Sequence, residues 1–444
     1  MRQRRRLVGV RSFAMPAPSS NAPSPLRQRA FRAIWIAAIF SYVGTWVQDV
    51  GESWLMLSMT KSPLLVAMLT TSFTLPYTAL TLPAGALSDR SDRRTLLLGS
   101  HAFLAFVAFS LAILTWLHVM HPYVLLLASV GLGLGSAVAG PPWQTLVPEL
   151  VPRRQTAEAI TLNSIAFNIA RATGPALGGF LIGLWGAGWA FLLNAMSFLA
   201  VGWVVWRFPE IRRASEAPRE VPAHARGESL LASMRAPFRV LLNSRRLPPV
   251  FLALAAFSVA AASSASILPA FAKHTLDATA TGYGALLGAM GLGAITGGLV
   301  AKRARALFGP RVIVASAMML YGASTLAASA AHSVTAATCF FFPLGMGWLM
   351  TLSTLNALCQ LLAPSWVKSR LLALYQMTFM VVWSVGASFG GLLAERFAER
   401  ASMVAGGVGT LAAGALVVML KLPDTERELT GDVTPTPAPA RTSM

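Results

Sequence analysis

Asp49, Glu52 and Arg171 lie deep inside stretches of chain that are otherwise apolar. A charge in such a setting costs about 3 kcal/mol or more unless it is paired or hydrated, so each of the three must find a partner or face water. A carboxylate held this way can take up and release a proton. Asp49 and Glu52 are the carboxylates so placed, first and second candidates for carrying protons, with Arg171 as the cation that tunes them. Ser41, Thr45, Gln48 or Asp49, and Glu52 recur at helical spacing, as do Thr161, Ser164, Asn168 and Arg171. Both stripes are expected to face an interior cavity, with Arg171 near mid-depth and the two acids toward the outer side; Glu52 could equally be a hydrated residue at the outer mouth.

Holding such residues requires elements that cross an apolar layer, and the composition supplies them. Of 444 residues, 55% are hydrophobic and 12% charged, whereas soluble proteins carry roughly 25% charged residues. Too few polar residues remain to coat a water-soluble particle. A helix needs about 20 mostly apolar residues to span the hydrocarbon core, and that window predicts twelve spans: 31–57, 63–87, 95–117, 122–147, 157–183, 186–207, 248–272, 281–301, 310–331, 335–362, 370–394 and 402–421. The expected fold class is therefore an all-α membrane protein. Of the 36 Lys and Arg residues, Lys61, Lys273, Arg396 and Arg400 fall in the loops opposite the termini, and Arg171 lies within a span; the others gather on the side of the termini. The positive-inside rule then places both termini in the cytoplasm. The net charge of +19 reflects these loops, not a nucleic-acid surface, because the cations cluster between apolar runs. Cys339 and Cys359 are about 30 Å apart along one predicted helix, too far to bridge, and are expected to be buried thiols.

The domain boundaries follow. Residues 1–29 read as a basic, disordered extension, in which Met15 offers a later start; 30–207 as a first six-helix half; 208–247 as an Arg-rich cytoplasmic linker suited to an anionic lipid surface; 248–421 as a second six-helix half; and 422–444 as a disordered tail. No cleavable signal peptide is evident. Shifting the chain by 212 residues lays Gly85 on Gly297, Arg90 on Lys302, Gly133 on Gly345, Gly135 on Gly347, Pro152 on Pro364, Gly174 on Gly386, and Gly178 and Gly179 on Gly390 and Gly391. Two six-helix pseudo-repeats in parallel arrangement place a solute site between the halves, near the middle of the bilayer.

Two motifs add to this. Gly85-Ala-Leu-Ser-Asp89-Arg90-Ser-Asp92-Arg93-Arg94 is a charged knot between spans 2 and 3. Gly85 permits close helix approach, Asp89 can accept hydrogen bonds at a helix N-terminus, and the arginines can pair with Asp92, Glu149 or Glu158. The alternative is that these cations only set topology. Gly174-Pro175-Ala-Leu-Gly178-Gly179 in span 5 offers a small-residue face with a free carbonyl at the proline.

With these motifs, 30–422 resembles the major facilitator superfamily, and within it the bacterial drug and siderophore exporter branch that includes the enterobactin exporters. The resemblance extends to Gly44-Thr-Trp46-Val-Gln48-Asp49 with Trp54, to Pro148-Glu149-Leu-Val-Pro152-Arg153, and to Gly186-Ala-Gly-Trp189-Ala-Phe191-Leu-Leu-Asn194. It implies that the knot is a cytoplasmic latch, with Asp89 facing span 11, and that the span 5 glycines form an antiporter-type seal. The chain departs from many proton antiporters at Gly131-Leu-Gly133-Leu-Gly135, where no Arg is present. In the second copy of the knot, Ala301 stands where Asp89 would be.

Trp46, Gln48, Gln144, Asn168, Asn356, Tyr375 and Gln376 are the candidate cavity lining, and an aromatic, weakly polar surface suits a bulky amphipathic solute. Absence of a nucleotide-binding loop or a metal-ligand cluster argues against an ATP-driven pump and predicts no cofactor. The expected function is a non-enzymatic, monomeric secondary transporter of the bacterial inner membrane that exports a hydrophobic or siderophore-like molecule by alternating access, with protons and membrane lipid as further partners. The rival readings are a lipid or lysophospholipid flippase and a non-transporting sensor or assembly partner.

Overall fold

The computed structural model describes residues 24–216, 230–364, 367–420 and 422. Most of the N-terminal extension, the middle of the linker and nearly all of the tail fall outside them. Among the described residues there is no strand, and twelve helices are long and apolar enough to cross a membrane. They are α1 (Arg29–Met59), α2 (Pro63–Arg90), α3 (Arg93–Trp116), α4 (Pro122–Glu149), α5 (Thr156–Trp185), α6 (Ala187–Arg207), α7 (Leu247–Ala265, continued by Leu268–Ala270 and a π turn at Phe271–Thr275), α8 (Ala280–Leu307), α9 (Pro310–Ser329), α10 (Val334–Leu362), α11 (Lys368–Phe397) and α12 (Glu399–Met419). In hydrocarbon a chain must satisfy its backbone groups internally, which selects helices. Their starts are encoded locally: Ser62, Asp92, Thr279 and Ser333 cap α2, α3, α8 and α10, and proline occupies the first turn of α2, α4, α7 and α9. Cys359 is buried, but Cys339 is exposed, in correction of the expectation, because it lies on the outward face of α10.

The end where α1 starts and α12 finishes is the proximal end; the other is distal. α5 with α6 and α11 with α12 repeat at the predicted shift of 212 residues, with matching lengths of 30 and 21 residues. The shift is different for α2 and α8. Both have 28 residues, but Pro63 matches Ala280, a shift of 217 (280 − 63). Packing confirms it: Gly133 of α4 closes on Phe73, and Gly345 of α10 closes on Met290. Gly85 therefore corresponds to Lys302 and Asp89 to Ala306, correcting the pairing of Gly85 with Gly297 and of Arg90 with Lys302. A shorter α9, 20 residues against 24 in α3, absorbs most of the difference.

Among the described residues, the core contacts between the halves lie in the distal part of the molecule. One core cluster draws on both, including Val47, Val50 and Ile182 from the first half and Phe271, Tyr283 and Phe341 from the second. At the proximal end, the cluster around Phe31, Leu97 and Leu146 belongs to the first half, and that around Ile313 and Met350 to the second. Two seams make the distal joint. Along α5–α8, a Cβ on Gly179 would fall 2.5 Å from Ala280 O and 2.6 Å from Gly284 Cα. Along α2–α11, one on Gly391 would fall 2.7 Å from Ala67 Cβ, and Thr71 meets Ser388 at 3.0 Å. Backbones approach this closely only through small residues.

The charged knot ties one half together. Arg93 is buried and holds both Glu149 oxygens at 2.8 and 2.7 Å, linking α3 to α4. Arg94 donates to the carbonyls of Val205 and Trp206 at the end of α6. Among the described residues Asp92 pairs with no arginine; it caps α3 through the N–H groups of Arg94 and Thr95 and accepts from Thr95 Oγ1 and Ser215 Oγ. Gly85 has open space beside it, not a close helix neighbour, because the halves are apart at this end. The side chains of Asp89 and Arg90 lie outside the described residues.

Two stability tests follow. Ala398 joins α11 to α12 at φ 87° and ψ 160°, where the equivalent residue is Gly186. This region is essentially reserved for glycine, so Ala398→Gly should stabilise the protein by about 1 kcal/mol, read as a raised Tm in detergent. At Asp92, desolvation pushes the carboxyl pKa up, but the hydrogen bonds from Ser215, Thr95 and the backbone outweigh it and hold it below the usual carboxylate range. Stability from this cap is complete above the unfolded pKa of about 4 and is lost as pH falls through the lower folded value. Asp92→Ala should cost about 1 kcal/mol at pH 7, and the difference in Tm from the unsubstituted chain should begin to shrink as pH falls below about 4.

Candidate solute cavity and its charged residues

α1 divides its polar residues between two faces. Gln48 and Glu52 are 2% and 7% exposed, and Ser41 and Gly44 are buried with them. They point into the first half and not into the cavity, contrary to the stripe expected from spacing. Gly44 makes this possible, since a Cβ there would fall 2.7 Å from Asn194 Oδ1 of α6. The buried groups form one chain across α4, α1 and α6. Ser129 Oγ meets Glu52 Oε2 at 2.8 Å, Gln48 Nε2 donates to Glu52 Oε1 at 2.8 Å, Asn194 Nδ2 donates to Gln48 Oε1 at 2.7 Å, and Ser197 Oγ lies 2.9 Å from Asn194 Oδ1. Glu52 is thus neither a hydrated mouth residue nor open to solute, and Gln48 leaves the cavity lining. Each is satisfied by side chains that spacing along α1 does not reveal.

Asp49, one residue on from Gln48, turns the other way. It is exposed, and its electrostatic neighbours are Glu52 and, from the second half, Tyr283 of α8. It therefore stands between the halves, below the distal joint. Arg171 is half-buried on α5 and, among the described residues, makes no ion pair or hydrogen bond. Its helix shows two accessible faces: Ile165, Ile169, Leu177, Phe180 and Leu184 are apolar, whereas Thr161, Ser164 and Asn168 are polar. The apolar face suits lipid and the polar one water, so Arg171, in line with the latter, belongs to the cavity. No contact joins Arg171 to Asp49 or Glu52.

The remaining lining is divided between the halves. Trp46 and Tyr42 pack around Phe167, with ring centroids 6.5 and 5.4 Å away, and Asn168 donates to Ser164 O. Gln144 and Gln376 are exposed, and Gln360 donates to Asn356 Oδ1 at 2.6 Å. Tyr375, expected here, is 4% exposed in the core of the second half, edge-on to Phe251, because α11 turns that face toward α7. An aromatic group that spacing did not single out lies on α10 and α11: Trp348, Phe379 and Trp383, half-buried, with centroids 5.1–6.3 Å apart.

The span 5 motif also divides. Gly174 and Gly178 pack on Trp46 and Val47 of α1 within the first half, whereas Gly179 and the carbonyl of the buried Pro175 meet α8 at Gly284. At the distal end, Tyr283 stacks on Trp54 at 6.2 Å, Lys273 lies over the same Trp ring, and Glu395 reaches α2. Lys273, Tyr283 and Glu395 were invisible as a group, since the contacts join residues more than 200 positions apart.

The comparisons fit this geometry. Over 162 residues the chain is 28% identical to the staphyloferrin A transporter of Staphylococcus aureus, a match covering 36% of this chain and 41% of that protein. Over 166 residues it is 30% identical to MdtD of Citrobacter koseri, named for multidrug resistance, covering 36% and 34%. The chain thus spans about two-fifths or less of the length of these relatives. Its fold matches a bacterial homologue of the human lysosomal transporter Spinster, with TM-score 0.68, 16% identity, and 90% and 96% of the two chains covered. It also matches a bacterial homologue of the iron transporter ferroportin, with TM-score 0.68, 16% identity, and 89% and 99% covered. With residues 20–441 matching the family described as transmembrane secretion effectors, the chain belongs to that family of major facilitator membrane transporters.

Proposed function

We propose that this transporter exports a bulky amphipathic small molecule, siderophore-like or drug-like, across the bacterial inner membrane by alternating access, with protons moving in the opposite direction. Asp49 carries the reading: it is an exposed carboxylate without a hydrogen-bond partner among the described residues, between halves that share a core distally and keep separate cores proximally. The concentration of Lys and Arg on the proximal side supports a cytoplasmic position for both termini. The cavity then opens to the cytoplasm, the loading state of an exporter. Relatives named for staphyloferrin A transport and multidrug resistance support the solute class.

Each charged residue has a distinct role. Asp49 takes a proton when the cavity faces outward and releases it when the cavity faces the cytoplasm. Glu52, sealed in its chain of side-chain hydrogen bonds, holds α1, α4 and α6 together and does not exchange. Arg171, unpaired in the cavity wall, holds an anionic group of the solute, whose apolar body rests on Trp46 and Phe167 or on Trp348 and Trp383. A half-buried guanidinium that no acid of the described residues pairs favours a carboxylate, which it can bind through two parallel hydrogen bonds.

In proteoliposomes, Asp49→Asn should abolish the dependence of export on a pH gradient while solute binding survives. Glu52→Gln, which can keep both hydrogen bonds, should retain the dependence. Unchanged gradient dependence in Asp49→Asn would reject Asp49 as the carrier. Arg171→Met should weaken binding of a carboxylate-bearing solute roughly tenfold and leave a neutral analogue unaffected, as measured by titration calorimetry; equal losses for both would remove the anion role.

A further inference from the structure

The distal end carries charges that the transport reading above leaves without a role. His274 meets Glu399 at 2.9 Å, and Arg400 donates to Ala331 O just beyond the end of α9; these contacts stay within the second half. Lys273 and Glu395 do not. Lys273 Nζ donates to Leu57 O of α1 at 2.9 Å and lies 5.4 Å from the Trp54 ring centroid. Glu395 Oε2 accepts from Ser62 Oγ at 2.6 Å and from the Leu64 N–H at 3.3 Å, at the start of α2.

These contacts have a common logic. α1 ends at Met59, so Leu57 O is one of the terminal carbonyls that a helix cannot satisfy within itself. Leu64 N–H is the matching orphan donor at the start of α2, where Pro63 has no N–H to offer. A cation from the second half thus meets the negative end of one helix, and an anion from the same half meets the positive end of the next. Ser62 sits between them: its hydroxyl accepts from Leu65 N–H and donates to Glu395 Oε2. The α1–α2 turn is gripped at both ends by the opposite half.

The pseudo-repeat shows that this is an addition to the fold, not a consequence of it. With α5 and α11 offset by 212 and α2 and α8 by 217, Glu395 corresponds to Gly183 and Leu64 to Thr281. At that second position the helices meet with no carboxylate, Gly183 lying directly against Thr281. One seam closes by backbone contact and the other carries charge.

We propose that Lys273 and Glu395 form an electrostatic clasp that holds the distal gate shut by capping α1 and α2 from the opposite half. The inference rests on the alternating-access part of the reading above. Opening the gate strips both helix ends of their caps, so the clasp favours the state that is open proximally. It lies about 12 Å along α1 from Asp49 (Asp49 to Leu57 at 1.5 Å per residue), and Trp54 and Tyr283, stacked between the halves, lie between the two.

The test uses spin labels on the full-length chain in lipid nanodiscs, at Tyr123→Cys and Thr335→Cys. These exposed, repeat-equivalent residues lie at the distal starts of α4 and α10, and Cys339→Ser and Cys359→Ala remove the native thiols. Glu395→Gln and Lys273→Met should each raise the ratio of separated to closed distances roughly three- to tenfold, whereas Lys273→Arg, which keeps the cation, should match the unsubstituted chain. An unchanged distance distribution in both Glu395→Gln and Lys273→Met overturns the clasp, as does equal opening by Lys273→Arg and Lys273→Met. If Glu395→Gln fails to fold, the two Lys273 variants decide alone. The measurement needs no solute: opening without any export would leave the clasp standing and reject the transport reading.

Discussion

The close approach of α5 to α8 at Gly179 is the contact on which the rest of the molecule depends. Gly179 and Gly284 allow two backbones to meet where side chains would hold them apart. With its pseudo-symmetric counterpart at Gly391, this contact closes the distal end and leaves the proximal end unjoined. A cavity results because helices that meet along these two seams diverge toward the proximal end, where each half keeps its own core cluster. Between helices in lipid there is little hydrophobic driving force, so dispersion contact through small residues carries the association.

The joint decides which charges meet water. Asp49 and Glu52 are three residues apart on one helix, yet one is open between the halves and the other is sealed against α4 and α6. The difference comes from Gly44, which brings α1 against Asn194, and from Ser129, which supplies the second donor. The buried carboxyl is tolerable because hydrogen bonds replace the water it has lost. The open one has no such hydrogen bonds among the described residues. Arg171, on the neighbouring α5, is likewise reached by no acid among the described residues.

The charged knot illustrates a division of labour between the two ends. In the structure, Asp92, Arg93 and Arg94 bind α3 to α4, α6 and the helix at Pro209–Glu216. They tie the first half together at its proximal end. Contacts between the halves lie instead at the distal end, where helix termini and charges of opposite sign meet.

Much of this could be read directly from the chain. Spans, caps and the two-half organisation follow from apolar run length, from Ser62, Asp92 and Thr279 ahead of their helices, and from the recurring glycines, because these are local or periodic signals. That Asp49 and Arg171 need a partner or water was legible too, since a charge within a span must be accounted for. Which face of α1 turns inward was not legible: Gln48 and Glu52 share the helical spacing of a cavity stripe, and only Ser129 and Asn194, 77 and 146 positions away, draw them into the bundle. The burial of Tyr375 and the five-residue change in repeat register were hidden for the same reason. Polarity and period determine that a residue must be satisfied; tertiary packing alone decides which partner satisfies it.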